Sequence, residues 1–173
     1  MERKGDPLAI ATATFARDRR STLSGWHTPR LELPALGEVA DGPDVLYIPA
    51  FCRYFEFRQA LGHPAFSGGP EAHTGGWCRL RGEAVAAEPA LAMAVLDAWA
   101  PAALSRHPRW APCASIDLYV QMHAVLDGTR VDWLGYESRS HHVEGGYADE
   151  RATLYFADGR AIATARQLIA IYD

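Results

Sequence analysis

An apolar segment bracketed by two prolines constrains this chain most. Pro89 to Ala100 reads Pro-Ala-Leu-Ala-Met-Ala-Val-Leu-Asp-Ala-Trp-Ala, and Pro101 follows at once. Proline suits the first helical turn, where its missing N–H would have had no intrahelical partner, and Pro101 stops the helix. Such a helix is about 18 Å long. Leu91, Met93, Val95, Leu96, Ala98 and Trp99 cover most of its circumference. The spacing therefore predicts a helix buried on nearly all sides, and a lone buried helix needs a layer wrapped around it.

The rest of the sequence supplies strands for that layer. Val45 to Leu61, with Tyr54, Phe55, Phe57 and Arg58, is aromatic-rich and reads as extended. Gly62 to Gly69 is a loop, and His73 to Arg81, around Gly75-Gly76-Trp77, is a second strand. From Ser115 to Ala124, Ile116, Leu118, Val120 and Met122 alternate with Asp117, Tyr119, Gln121 and His123, the pattern of a half-buried strand. Val131 to His142, Tyr147 to Phe156 and Arg160 to Ile171 are joined by Gly145-Gly146 and Asp158-Gly159 turns. Two strands, one helix and four strands make an α+β fold, an antiparallel sheet wrapped around one long buried helix.

The chain also repeats a piece of itself. Ala9 to Ala13 and Ala161 to Ala165 both read Ala-Ile-Ala-Thr-Ala, each after a turn signal. Taken as equivalent strands of two similar units, they leave the first unit represented by its last strand alone. The expected organisation is an N-terminal remnant strand in 1–16, a linker over 17–49 rich in Pro, Gly and charge, and the α+β domain over 50–173. Leu31 and Leu33 are linker positions able to dock on some other surface.

Charge and cysteine usage exclude several classes. Seventeen basic and 21 acidic residues give a net charge of -4, and the arginines are scattered; Lys4 is the only lysine. That balance offers no footprint for nucleic acid or an anionic membrane. Cys52, Cys78 and Cys113 are an odd number without a C-x-x-C pair, which argues against a disulfide framework or a zinc knuckle. The N-terminus lacks the apolar core of a signal peptide. Ala84 to Leu104 is broken by Glu88, Pro89, Asp97 and Pro101, too interrupted for a membrane span. A soluble, cytoplasmic protein is expected.

Asp97 is the most informative single residue, because it sits inside the apolar helix. A buried carboxylate costs several kcal/mol unless paired or hydrogen-bonded. It is either a general base or a structural carboxylate at a solvent gap or capping the loop after Pro101. Ser115 opens the strand after the helix and lies outside any G-x-S-x-G elbow, which argues against a serine-hydrolase nucleophile. Gln167 interrupts a mostly apolar strand; its amide either holds a water or a carbonyl, or is structural. His141 and His142 are adjacent strand residues pointing to opposite faces, so with His73 they make a poor metal site. Trp77, Trp99 and Trp133 read as core anchors.

Five stretches in order resemble the second half of the double-hotdog acyl-CoA thioesterases of type II. They are Gly75 to Arg79, Leu96 to Ala102, Ala114 to Leu118, Asp132 to Leu134, and Asp158 to Leu168. The resemblance runs from about Ala50 to Ile171, and Leu8 to Phe15 looks like the last strand of the family's first hotdog. It implies that Asp97, Ser115 and Gln167 form the catalytic set of a thioesterase. Asp97, with Ser115, would deprotonate a water that Gln167 helps hold near the thioester carbonyl. No metal or organic cofactor is implied; the implied partner is acyl-CoA or another acyl thioester. Nearly all of the family's first hotdog is absent, and the family's site lies where the two hotdogs meet. A homodimer or higher homo-oligomer would supply the missing half. The alternative is a non-catalytic hotdog protein that binds an acyl group or stabilises a partner. A hotdog hydratase, with His123 as its one candidate base, ranks behind both.

Overall fold

The computed structural model describes residues 10–17, 19–23, 27–40 and 49–172, with the backbone of Glu2–Arg3 and Asp6–Pro7, which pair antiparallel. Six strands form the main sheet: β1 (Phe55–Gly62), β2 (His73–Leu80), β3 (Cys113–Met122), β4 (Leu134–Glu144), β5 (Tyr147–Tyr155) and β6 (Ala161–Ile171). Their spatial order is β1-β2-β4-β5-β6-β3, antiparallel throughout. The helix α1 (Pro89–Ala98) packs on one face. Val95 and Leu96 meet Cys78, Leu134, Tyr136, Leu154 and Ala163 there, and all are essentially removed from water. The strand–strand–helix–four-strand order expected from the sequence is the observed one.

α1 ends two residues before the expected boundary. Pro101 disfavours helical backbone at the residue before it, and Trp99 is already extended (φ -74°, ψ 144°). Its indole is drawn into the core. The ring stacks on Tyr136 at 5.0 Å, meets Phe57 edge-on at 5.2 Å and donates to the Thr74 hydroxyl at 3.1 Å. Nor is the helix buried all round: Met93, Ala94 and Asp97 are exposed. The sheet covers one side of α1, and no other layer lies over the opposite side among the described residues.

β3 departs from expectation for the same reason. Its alternation is present in the sequence, yet Cys113 to Tyr119 are exposed: β3 is the edge strand, bonded among the described residues to β6 alone, and no described layer covers its apolar side chains. The strand expected over Leu8 to Phe15 is not formed in its described part. Residues 10–17 carry no strand pairing, and Ile10 and Phe15 are exposed. A strand needs a neighbouring ladder, and none meets it among the described residues; Leu8 and Ala9 lie outside them. Of the extended stretch expected from Val45, 45–48 also lie outside, and Ala50–Tyr54 is a 3-10 turn.

Part of the linker is a strap across the sheet face away from α1. The Leu31 amide donates to the Gly159 carbonyl at 3.1 Å, the Trp77 indole to the Pro34 carbonyl at 3.0 Å, and the Arg58 guanidinium to the Leu36 carbonyl at 2.9 Å. Gly159 is required for this contact. Its φ is +81°, and a Cβ there would lie 2.4 Å from the Leu31 carbonyl oxygen. Trp133 lies beneath the guanidinium groups of Arg58 and Arg79 at 5.2 and 4.6 Å. Trp77→Phe keeps an aromatic ring, though a smaller one, and removes the indole donor. It is expected to cost about 1 kcal/mol of stability, read by urea unfolding, and to speed proteolytic cleavage within 30–39.

Candidate active site

Three side chains from three elements meet at the junction of α1 with the β6–β3 edge. Asp97 lies in the last turn of α1, Ser115 near the start of β3 and Gln167 in β6. A bulge places Ser115. The β6–β3 register pairs Gln167 with Leu118 and Leu168 with Asp117, then skips Ile116 and pairs Ile169 with Ser115. Without the skipped residue Ser115 would oppose Ala170 and point to the other face. With it, Ser115 shares the helix-side face with Gln167.

The three groups bond to one another. Gln167 Nε2 donates to Asp97 Oδ1 at 2.6 Å and to Ser115 Oγ at 2.8 Å, while Ser115 Oγ donates to Asp97 Oδ1 at 3.4 Å. The two amide protons of Gln167 are thus used on two acceptors, which turns the Ser115 hydroxyl proton toward the carboxylate. Asp97 Oδ2 accepts nothing from the described residues. Gln167 is buried, but Asp97 and Ser115 are exposed. The expected burial of Asp97 is therefore corrected: it stands at the margin of the helix–sheet contact, bonded to β6 and β3 yet open to solvent.

A fourth polar residue beside this group escaped the sequence reading. Glu150 pairs with Gln167 across the β5–β6 register and with Ser140 across β4–β5, on the helix-side face. It is 2% exposed. Its Oε2 accepts the Ala102 amide at 2.5 Å and its Oε1 accepts the Tyr136 hydroxyl at 3.2 Å. Burial pushes the Glu150 carboxyl up to about 7, against the opposing effect of these hydrogen bonds. The signal was available: Ala148, Glu150, Ala152 and Leu154 share one phase of a strand, and Glu150 is its one charged member.

The histidines lie elsewhere. His123 Nε2 bonds to the Thr164 hydroxyl at 2.9 Å, on the opposite face of β6 from Gln167. The backbone amides of His141 and His142 both donate to the Asp149 carboxylate at a bulge in β4. Among the described residues, no group of three or more His, Cys, Asp or Glu side chains is arranged to hold a metal ion. Cys52 and Cys78 are buried and Cys113 is exposed, all as free thiols. A cleft of about 830 Å³ between the strap and the far face of the sheet is lined by Leu31, Leu33, Trp77, Trp133 and Phe156. It contains none of the three convergent residues.

A six-stranded antiparallel sheet in this order, wrapped on one helix with a polar group at their junction, is a hotdog domain. The chain belongs to the family of the acyl-CoA thioesterase C-terminal domain, which matches residues 30–171. A conserved protein of unknown function with a hotdog fold from Alicyclobacillus acidocaldarius is similar, with a TM-score of 0.76 at 22% identity over 90% of this chain and 59% of that one. The tesB protein of Mycobacterium avium subsp. paratuberculosis gives a TM-score of 0.60 at 22% identity, over 88% of this chain and 56% of its own. An acyl-CoA thioesterase II from Mycobacterium marinum gives 0.54 at 18% identity, over 88% and 60%. These likenesses show the fold. The chain spans less than two thirds of the length of each of these structures, and no curated protein matches it. No helix among the described residues is long and apolar enough to cross a membrane.

Proposed function

We propose that this protein hydrolyses acyl thioesters, acyl-CoA foremost, by direct attack of water, with Asp97 as the general base. The mutual hydrogen bonding of Asp97, Ser115 and Gln167 carries this reading. Gln167 and Ser115 fix the carboxylate through Oδ1 and leave Oδ2 to take a proton. Water adds to the acyl carbonyl carbon as its proton passes to Asp97. The tetrahedral adduct then collapses with cleavage of the C–S bond, and the proton passes from Asp97 to the departing sulfur. The products are a carboxylic acid and a thiol, and the step uses no resident cofactor. Since acyl-CoA is an intracellular substrate, the reading places the protein in the cytoplasm.

Met93, Ile116 and Leu118 are exposed on the elements that carry the group, and among the described residues β3 has one open edge. Exposed apolar surface and an unpaired strand edge both favour association. A second copy of the chain seated on this face encloses the site. The openness of Asp97 and Ser115 in the single chain favours a second reading, a non-catalytic acyl-binding module.

The test is free-thiol release from short, medium and long acyl-CoAs, on protein whose solution mass is measured, with Asp97→Asn alongside. The expected result is hydrolysis by an oligomer, lost in the variant. A folded protein that binds acyl-CoA without releasing thiol would establish the binding module instead.

A further inference from the structure

We infer that Glu150 is a positioning residue of this site: its carboxylate ties the turn leaving α1 to the strand neighbour of Gln167, and so sets how Asp97 and Gln167 stand relative to each other. The inference rests on the reading of Asp97, Ser115 and Gln167 as the hydrolytic set. The sheet register places Ser140, Glu150, Gln167 and Leu118 in one row across β4, β5, β6 and β3. Glu150 is therefore the immediate helix-side neighbour of the residue that holds Asp97.

Two routes lead from Glu150 to the segment that follows Asp97. One is direct, from Oε2 to the amide of Ala102, the first residue of the 3-10 turn Ala102–Ser105. That turn is anchored at its far end by the Ser105 hydroxyl, which donates to the Glu71 carbonyl at 2.7 Å. The second runs from Oε1 to the Tyr136 hydroxyl, whose ring stacks on Trp99. Trp99 is two residues beyond Asp97 and is pinned by its indole to Thr74. Both fixed points, Trp99 and Ala102, lie just after Asp97 and hold the end of α1 that carries it, which leaves Asp97 little freedom to move away from Gln167.

The arrangement is costly for a purely structural group. An apolar side chain of similar volume would fill the same space without a buried carboxyl. Among the described residues, the buried Ser138 and Ser140 hydroxyls beside Glu150 make no well-formed hydrogen bond. The groups that face Glu150 are the Tyr136 hydroxyl and Ser138 on β4, the Cys113 thiol on β3, Gln167 on β6 and the Ala102 amide. Asp97 on α1 is the other carboxylate of the cluster, joined through Gln167. Burial, and after it the charge on Glu150, raises both the Tyr136 hydroxyl and the Cys113 thiol. Near neutral pH Glu150 passes between a neutral acid and a carboxylate, and the carboxylate holds the Ala102 amide more strongly.

The experiment follows the Ala102 backbone amide and the Gln167 side-chain amide by ¹H–¹⁵N NMR across neutral pH, in wild type, Asp97→Asn and Glu150→Gln. Glutamine keeps an acceptor for the Ala102 amide, so the variant is expected to fold. In wild type both signals should share an inflection near pH 7. The Ala102 inflection should persist in Asp97→Asn, and Glu150→Gln should lose both. The kcat for acyl-CoA hydrolysis should carry the same inflection in wild type and lose it in Glu150→Gln, with KM unchanged. Signals that do not titrate together, or an inflection that survives Glu150→Gln, would overturn the inference. A shared inflection in a protein that releases no thiol would sink the hydrolytic reading and support the tie between Glu150 and the turn.

Discussion

Asp97→Asn is expected to lower kcat for acyl-CoA hydrolysis by about 10²–10⁴-fold, the usual contribution of a positioned general base. Asparagine is nearly isosteric and its Oδ1 can still accept from Gln167 Nε2 and Ser115 Oγ, so the framework of the site survives. What is lost is the capacity of the second oxygen to take a proton. Asp97 is exposed and among the described residues makes only these side-chain bonds, so the unfolding midpoint should move little. KM should also stay close to its wild-type value, because the change removes an interaction developed in the transition state and not one that binds the acyl chain. A loss of acyl-CoA affinity with kcat unchanged would assign Asp97 to binding. A variant with undiminished kcat would remove it from the mechanism.

How far this site was legible in the sequence depends on the kind of information each residue carries. The helix was readable because Pro89 and Pro101 bracket an apolar segment, and the strands because alternation and Gly turns mark them. Asp97 and Gln167 stood out as polar residues in apolar elements. Their meeting with Ser115 was not readable from periodicity, since it depends on a bulge at Ile116 that shifts β3 by one residue. No local signal in Ser-Ile-Asp announces that shift; the family resemblance supplied Ser115. The burial of α1 and β3 was overestimated because amphipathic pattern reports which surface is apolar and not whether a partner covers it. Met93, Ile116 and Leu118 are apolar, as the pattern requires, and remain exposed. The repeated Ala-Ile-Ala-Thr-Ala makes the same point. In Ala161–Ala165 it lies between β5 and β3, whereas the described residues of the first copy have no strand beside them. Glu150 was legible only as the one charged residue in the apolar phase of its strand, with nothing in its neighbours to mark it as more than a structural acid.

The buried Glu150 should also leave its mark on stability. Its carboxyl lies at about 7 in the folded protein against 4.5 when unperturbed. Below about pH 4.5 both folded and unfolded chains hold the proton, and the full contribution is present. As pH rises from there toward 7, the unfolded chain gives up its proton while the folded one retains it, so unfolding becomes progressively easier. Above about 7 both are ionised and the loss is complete. At about 1.4 kcal/mol per pKa unit, the fall across this window is about 3 kcal/mol. Asp127, Asp149 and Asp158 act in the opposite sense, because hydrogen bonds hold their carboxyls below 3.8; their contributions vanish only as pH falls below that range. The two effects therefore occupy different parts of the pH axis. Urea unfolding of wild type and Glu150→Gln between about pH 4.5 and 8 isolates the upper one. Wild type should lose stability relative to the variant as pH rises, with the difference levelling above 7. Parallel curves would mean that Glu150 is as readily ionised in the folded protein as in water, and that its contacts with Ala102 and Tyr136 offset the whole cost of its burial.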